Sequence, residues 1–167
     1  MKMRTLKIAA LLLTVLSGSA AAQENGWTTF IETKGGVFDL KGNDMATTEV
    51  SISAGRKINQ KLALSLVADL SFGLDDEAKA YNSNVALGLN LAYYINSNVE
   101  LYAALGSTLT ADDDNGWHYK YLEAGAKWYP SQKVKNYYVM ANYKYYDMYK
   151  SYCHDQSLIG VGFGIRF

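Results

Sequence analysis

The 167-residue sequence has one cysteine, Cys153, and one proline, Pro130. A single cysteine excludes an internal disulfide, so an exported chain of this composition must gain its stability elsewhere. After residue 22, no apolar stretch approaches the roughly 20 residues that a transmembrane helix needs. Basic residues are not in excess, with 16 Lys and Arg against 16 Asp and Glu. This balance argues against a nucleic-acid partner, because such proteins present a basic face.

The N-terminal segment has the features of a secretory signal peptide. A basic start precedes an apolar run and then small residues: Lys2, Arg4 and Lys7, residues 8–16, and Ala20, Ala21 and Ala22. The run is too short to span a bilayer, and the alanines match an A-x-A cleavage site. We therefore expect residues 1–22 to be a signal peptide cleaved after Ala22. Residues 23–167 are expected to form one domain, with a net charge of −3 once the three basic residues of the leader are removed.

Alternation of apolar with polar or small residues recurs eight times, which is typical of β-strands. The segments are 27–38, 48–58, 62–72, 84–94, 99–109, 117–129, 137–146 and 157–167. The connections between them alternate in length. Those at 58–61, 95–98 and 130–136 are mainly short, and those at 39–47, 73–83, 111–116 and 147–156 are longer and acid-rich. The pattern predicts an all-β fold, an eight-stranded antiparallel up-and-down barrel with both termini at the short-turn end.

Alternation alone fits a soluble lipocalin-like carrier with its apolar face inside, or a membrane barrel with its apolar face outside. An eight-stranded barrel is only wide enough to be filled by side chains, so the smaller, polar set fits inside better. That set also carries the charges, which would cost roughly 2–4 kcal/mol each for Lys or Arg at the centre of a lipid face. We predict a transmembrane β-barrel with these charged residues in its lumen: Glu32, Lys34, Glu49, Lys57, Asp69, Glu100, Glu123, Lys127, Lys144 and Arg166.

The lumenal charges are expected to pair, because buried ions need partners. Near the short-turn end, Arg166, Lys57 and Lys127 are placed to meet Glu100. The remaining charges lie in the middle (Glu123, Glu32 and Lys34) or higher (Lys144, Glu49 and Asp69). The favoured interpretation is a plug that seals the barrel. A gated ion path stays open as an alternative, and it predicts conductance steps that Lys144→Ala or Glu123→Ala alters.

Aromatic residues occur towards both ends of the predicted strands. Rings at the two water–lipid boundaries are typical of outer-membrane barrels. The predicted girdles consist of Trp27, Tyr93, Trp128 and Tyr137 near the short turns, with Phe38, Phe72, Trp117, Tyr119 and Tyr145 near the long loops.

The signal peptide, the eight alternating segments and the ending "GVGFGIRF" together resemble the small eight-stranded outer-membrane barrels of the OmpA/OmpX type. The resemblance covers essentially the whole mature chain. It implies a terminal strand that the barrel-assembly machinery recognises through Ile159, Val161, Phe163, Ile165 and Phe167. It also implies a bacterial outer-membrane location, contact with membrane lipid and lipopolysaccharide, and a structural or surface role in envelope integrity or adhesion. A surface ligand or host partner would bind through the long loops of a monomer.

Some barrels of this size are lipid A-modifying enzymes, and this alternative stays open. One deacylase family uses a His-x-Ser pair, but His154 and Ser157 are spaced so that a strand would place them on opposite faces. A second set, His118 with residues 112–114 and Ser157, would resemble an acyltransferase. We predict no catalytic residue, and loss of activity on lipid A in His154→Ala would contradict this.

The acid-rich loops and the cysteine give no further site. Residues 112–114 lack the alternating spacing and the later glutamate of an EF-hand loop, so we predict no metal site and no cofactor. Cys153 is expected to be a free thiol or an intermolecular pairing site.

Overall fold

A computed structural model describes residues 27–40, 43–75, 80–109, 119–130, 137–148 and 156–166. The predicted signal peptide lies outside the described residues. The chain forms eight strands, which are β1 (Trp27–Leu40), β2 (Asn43–Lys57), β3 (Leu62–Asp75), β4 (Ala80–Tyr94), β5 (Val99–Thr108), β6 (Tyr119–Trp128), β7 (Tyr137–Met148) and β8 (Gln156–Arg166). No helix in these segments is long and apolar enough to cross a membrane.

The strands form a closed antiparallel barrel in chain order, with β8 pairing back onto β1. The all-β, eight-stranded up-and-down prediction is confirmed. The turns at 58–61 and 95–98 mark one end, which we call the turn end. The connections between β1 and β2, β3 and β4, β5 and β6, and β7 and β8 mark the other, which we call the loop end.

The barrel is staggered, as closure of tilted strands requires. The register runs from Phe38 through Leu158, Lys144, Glu123, Ala104, Asn90, Ser65 and Gly55 back to Thr28. One circuit thus returns to β1 ten residues from its start, the difference between positions 38 and 28. This stagger brings residues that are distant in the chain to the same level of the lumen.

The apolar set faces outward. Leu66 is 66% exposed and Ile159 is 71% exposed, whereas the alternate residues on the same strands are buried. Alternation follows from strand geometry, in which successive side chains point to opposite sides of the sheet. The soluble carrier with an apolar interior is therefore excluded.

Two of the predicted loops are shorter than the sequence indicates, because the strands beside them are longer. The predicted loop at 39–47 is mostly strand, because the β1–β2 ladder continues to the pair Leu40 and Asn43. The predicted loop at 73–83 is shortened in the same way by the pair Asp75 and Ala80. Pairing between these strands continues beyond the residues in which apolar and polar side chains alternate.

The two short turns have the same construction. The side chain of Asn59 accepts hydrogen bonds from the backbone N–H groups of Lys61 and Leu62, at 2.8 and 2.9 Å. Asn96 accepts in the same way from Asn98 and Val99. Asparagine side chains that bond the backbone two or three residues ahead pin a tight turn. These turns fix the register of β2 with β3 and of β4 with β5.

Tyrosines in the lumen lie over glycines of the neighbouring strand. Tyr102 is the register partner of Gly125, and Tyr138 is the register partner of Gly164. A Cβ at Gly164 would lie against the Tyr138 ring, 2.6 Å from Cε2 and closer still to Cζ and Oη. The glycines therefore leave the space that the rings occupy, a pairing that compensates for glycine within a strand.

We expect Gly164→Ala to lower the free energy of unfolding by about 1–3 kcal/mol, the usual cost of overpacking. The Tyr138 ring has little freedom to move aside, since it contacts the Tyr129 ring at 5.2 Å and lies under the Lys127 ammonium. Urea unfolding of the barrel in phospholipid vesicles, followed by gel mobility without boiling, measures the change. Gly160→Ala is the matched control on the same strand. Its Cβ would meet the amide oxygen of Asn142, an atom with no hydrogen-bond partner there, and not an aromatic ring, so it should cost less. Equal losses in the two variants would contradict the role given to the ring.

Candidate functional site in the barrel lumen

The lumen holds two groups of charged side chains at different levels. The upper cluster consists of Lys144, Glu49, Asp69 and Glu123. The lower cluster, nearer the turn end, consists of Glu100, Lys127, Arg166 and Tyr129. Every residue of the upper cluster is at most 1% exposed.

The upper cluster is centred on the Lys144 ammonium. Its Nζ lies 2.8 Å from Glu49 Oε1, 3.5 Å from Asp69 Oδ2 and 3.8 Å from Glu123 Oε2. The lysine also lies over the Tyr121 ring, 4.1 Å from its centroid. A cation in contact with an aromatic face and with carboxylates is stabilised electrostatically where water is excluded.

Neutral side chains orient the three carboxylates. Tyr146 donates to Glu49 Oε1 at 2.7 Å, and Ser51 donates to Asp69 Oδ1 at 2.5 Å. Glu123 Oε1 accepts from the Tyr102 hydroxyl at 2.7 Å and from the Asn142 amide at 2.9 Å. Because five strands (β2, β3, β5, β6 and β7) contribute to it, the cluster ties the barrel wall together across the lumen.

The lower cluster is centred on the Glu100 carboxylate. Arg166 Nη2 donates to Glu100 Oε2 at 2.7 Å, and Lys127 Nζ lies 3.6 Å from Glu100 Oε1. Tyr129 donates to the same Oε2 at 2.8 Å and also accepts from Arg166. The Lys127 ammonium lies over two rings, 4.9 Å from the Tyr102 centroid and 5.0 Å from the Tyr138 centroid.

Little space is left between the clusters. A cavity lined by residues that include Asp69, Tyr102, Glu123 and Lys127 has a volume of about 10 Å³. That is room for about one water molecule. At this level the described side chains of β2 to β8 are packed together and leave no room between them for a larger solute.

Eight of the ten predicted lumenal charges have described side chains. The two clusters bring seven of them together: Glu49, Asp69, Glu100, Glu123, Lys127, Lys144 and Arg166. Lys57 is exposed at the turn end, where its ammonium lies 4.9 Å from the centroid of the Tyr94 ring, so it is not packed among the buried charges. For Glu32 and Lys34 the structure gives the strand register, beside Ser51 and Glu49 respectively.

The prediction of an aromatic girdle residue is wrong for Tyr119. Tyr119 is 1% exposed and points into the lumen, where its hydroxyl is 2.7 Å from Ser71 Oγ and its ring packs edge-on against Tyr146. The reason is its position on β6, two and four residues before the lumenal Tyr121 and Glu123. The neighbouring Lys120 is polar but faces outward, which obscured the alternation at this end of the strand.

The other predicted girdle residues divide into two groups. Tyr93, Trp128, Tyr137 and Tyr145 are exposed on the outer face, and Phe72 lies half-buried on the same face. The side chains of Trp27, Phe38 and Trp117 lie outside the described residues. In the predicted recognition set, Ile159, Val161 and Phe163 are exposed, Ile165 is half-buried, and Phe167 lies outside the described residues.

The candidate catalytic sets are not assembled among the described residues. Ser157 lies half-buried on the outer face, with its hydroxyl 2.8 Å from the Tyr143 hydroxyl. His118, His154, residues 112–114 and Cys153 lie outside the described residues. Within the segments that the structure covers, no group of three or more His, Cys, Asp or Glu side chains is arranged to hold a metal ion.

Sequence reasoning missed the lumenal tyrosines that complete the site, namely Tyr102, Tyr121, Tyr129, Tyr138 and Tyr146. Their signal was present, since each shares the strand face of the charged residues. All five contact a carboxylate or a lysine directly, and Tyr121, Tyr102 and Tyr138 occupy the space above glycines.

The fold is shared with solved membrane barrels. Neisserial surface protein A (NspA) matches with a TM-score of 0.53 at 16% identity, covering 85% of this chain and 97% of that chain. Ail, the attachment invasion locus protein of Yersinia pestis, matches with a TM-score of 0.52 at 13% identity, covering 85% and 99%. A de novo designed transmembrane β-barrel gives 0.53 at 17% identity, covering 84% and 95%. At these identities the likeness concerns the fold alone.

No curated protein sequence matches the chain significantly. Its sequence does match a family described as outer membrane protein beta-barrel domain, over residues 8–167. The outward apolar face is then the lipid-facing surface, and the charged residues fill a lumen closed off from lipid. The chain belongs to the outer membrane protein beta-barrel domain family.

Proposed function

We propose that this protein is a sealed outer-membrane barrel with a structural or surface-interaction role, in adhesion or envelope integrity. The observation that carries the proposal is the packed lumen, in which the upper and lower clusters leave a cavity of only about 10 Å³ between them. A barrel filled in this way offers no path through its centre, so its contacts with the surroundings are made by its ends and its outer face.

The connections at the loop end are the natural place for such contacts. In barrels of this kind the longer connections are extracellular and the short turns periplasmic. The segments 73–83 and 111–116 are acid-rich, so they favour a cationic partner or one bridged by divalent cations. Ail has been solved with the heparin analogue sucrose octasulfate, but the acidic segments of this chain disfavour such a polyanion.

Export and assembly belong to the same proposal. Residues 1–22 would direct the chain across the inner membrane and be removed after Ala22. The outward-facing Ile159, Val161 and Phe163 support recognition of the terminal strand by assembly machinery, because they form an apolar face on β8.

The experiment compares three strains: the parent, a deletion strain, and the deletion strain carrying a variant in which 76–79 and 111–116 are each replaced by Asn-Gly. We expect the deletion strain to bind cultured epithelial cells several-fold less or to become more sensitive to detergent. The strain with shortened loops should lose the binding to epithelial cells but keep its resistance to detergent, since its barrel is intact. A length-matched variant with Asp112, Asp113 and Asp114 changed to Asn tests whether the acidic charge matters.

Planar-bilayer recordings of the purified barrel provide the opposing test. We expect no discrete conductance steps, because the charges that line the lumen are paired and packed. Conductance steps that change in the Lys144→Ala variant would show that the protein acts as a channel and not in a surface role. A deletion strain with normal adhesion and normal detergent resistance would also overturn the proposal.

A further inference from the structure

A groove of about 560 Å³ lies on the outer face near the turn end, across β2, β3 and β4. Its walls are apolar and include Ala54, Leu64, Leu66 and Leu89. Two cationic residues, Arg56 and Lys57, line the same groove at its end nearest the turn. The volume falls within the roughly 300–1,000 Å³ of ordinary small-molecule sites.

The charges lie at the edge of the apolar surface. Outward-facing residues of β2 run from Val50 through Ile52 and Ala54 to Arg56, which is followed by the turn at 58–61. Arg56 is thus the first outward charge at the periplasmic end of this strand, close to where lipid headgroups begin. Its register partner on β3 is Leu64, one of the apolar walls.

The cations are available for a ligand. Among the residues that the structure covers, no carboxylate lies within salt-bridge distance of Arg56, which is exposed. Lys57 is also exposed and contacts the ring of Tyr94. Neither residue belongs to the two lumenal clusters, although Lys57 adjoins the lower one through Tyr94, whose hydroxyl accepts a hydrogen bond from Arg166.

We propose that this groove binds an anionic glycerophospholipid of the periplasmic leaflet. The phosphodiester would lie at Arg56 and Lys57, since guanidinium and ammonium groups bind phosphate oxygens. One acyl chain would lie along Leu64, Leu66 and Leu89, whose side chains are exposed in the isolated barrel. The combination of a charged end and an apolar channel matches a lipid of this class and not a soluble anion.

The test is native mass spectrometry of the folded barrel released from detergent micelles that contain dioleoylphosphatidylglycerol or dioleoylphosphatidylcholine. We expect one phosphatidylglycerol to be retained per barrel, with weaker retention of phosphatidylcholine, which has no net charge. The double variant Arg56→Gln/Lys57→Gln should bind phosphatidylglycerol about 25-fold more weakly. This figure follows from about 1 kcal/mol, or fivefold, for each basic residue near an anionic headgroup.

Lys120→Gln is the matched control, because it removes an exposed outward charge near the loop end. Lys120 does not line this groove but a neighbouring one that shares Leu66 and Leu89 with it. It should change retention by less than twofold. Glycerophosphoglycerol, which has the headgroup without chains, should not displace the lipid. The proposal is overturned if the double variant retains phosphatidylglycerol as the native barrel does, if phosphatidylcholine is retained equally, or if Lys120→Gln has the same effect. Gel mobility before and after boiling confirms that each variant is folded.

Discussion

Replacing Lys144 by methionine is expected to lower the free energy of unfolding by about 3–5 kcal/mol, the cost of breaking a buried ion pair from one side. The ammonium is completely buried and is shared by Glu49, Asp69 and Glu123. Methionine keeps much of the volume but leaves these carboxylates without the central cation. Urea unfolding in phospholipid vesicles, read from gel mobility, gives the difference.

Two companion variants make this result specific. Lys120→Met removes an exposed lysine from the outer face of β6 and should cost less than about 1 kcal/mol, as surface charges do. Adding Glu49→Gln to Lys144→Met should recover part of the lost stability, because one of the uncompensated charges is gone. If Lys144→Met and Lys120→Met have equal effects, the upper cluster contributes little to stability.

Replacing Glu100 by glutamine is expected to lower the free energy of unfolding by about 3 kcal/mol or more. Glutamine has the same shape but removes the counter-charge of Arg166 and Lys127, which lie 2.7 and 3.6 Å from the carboxylate. Lys127 is almost completely buried, so it cannot turn to water without opening the barrel wall. The same urea titration measures the loss.

The second variant has a distinct signature. The excess charge left by Glu100→Gln is positive, so adding Lys127→Met should recover part of the lost stability. Arg166→Gln is the matched comparison, and it should cost less than Glu100→Gln because the Arg166 side chain is 16% exposed and Lys127 keeps its carboxylate. No recovery in the Glu100→Gln/Lys127→Met barrel would show that the loss has another cause.

The number of strands and the direction of their faces were predictable because alternation is a local property. Leu62 to Phe72 and Val85 to Tyr93 show it without reference to any other part of the chain. The level of two charges was also predictable, since counting from a turn places Arg166 and Lys127 near Glu100. Both pairs are present in the structure. Lys57 was expected there too but contacts Tyr94, and Glu123 was expected in the middle but lies in the upper cluster.

The register could not be predicted in the same way. Contacts such as Lys144 with Glu49 join β7 to β2 across the lumen, and they depend on the ten-residue stagger of the whole barrel. That stagger is the sum of eight pairings, so no single segment encodes it. The prediction of Tyr119 as a girdle residue was wrong for a local reason. Lys120, which faces outward, follows it directly, and the strand had been expected to begin at residue 117.

The pairing of β8 with β1 has a consequence for how the molecule is made. Seven of the eight ladders join strands that are adjacent in the chain, and each can form as soon as its hairpin exists. The eighth joins Phe30 to Arg166, nearly the full length of the domain apart, and closing so long a segment carries the largest entropic cost. Until that step both outer strands expose unpaired N–H and C=O groups, which are templates for pairing with another chain. The risk of aggregation therefore lasts until β8 pairs with β1, and a factor that covers one open edge would protect the unfinished barrel during that interval.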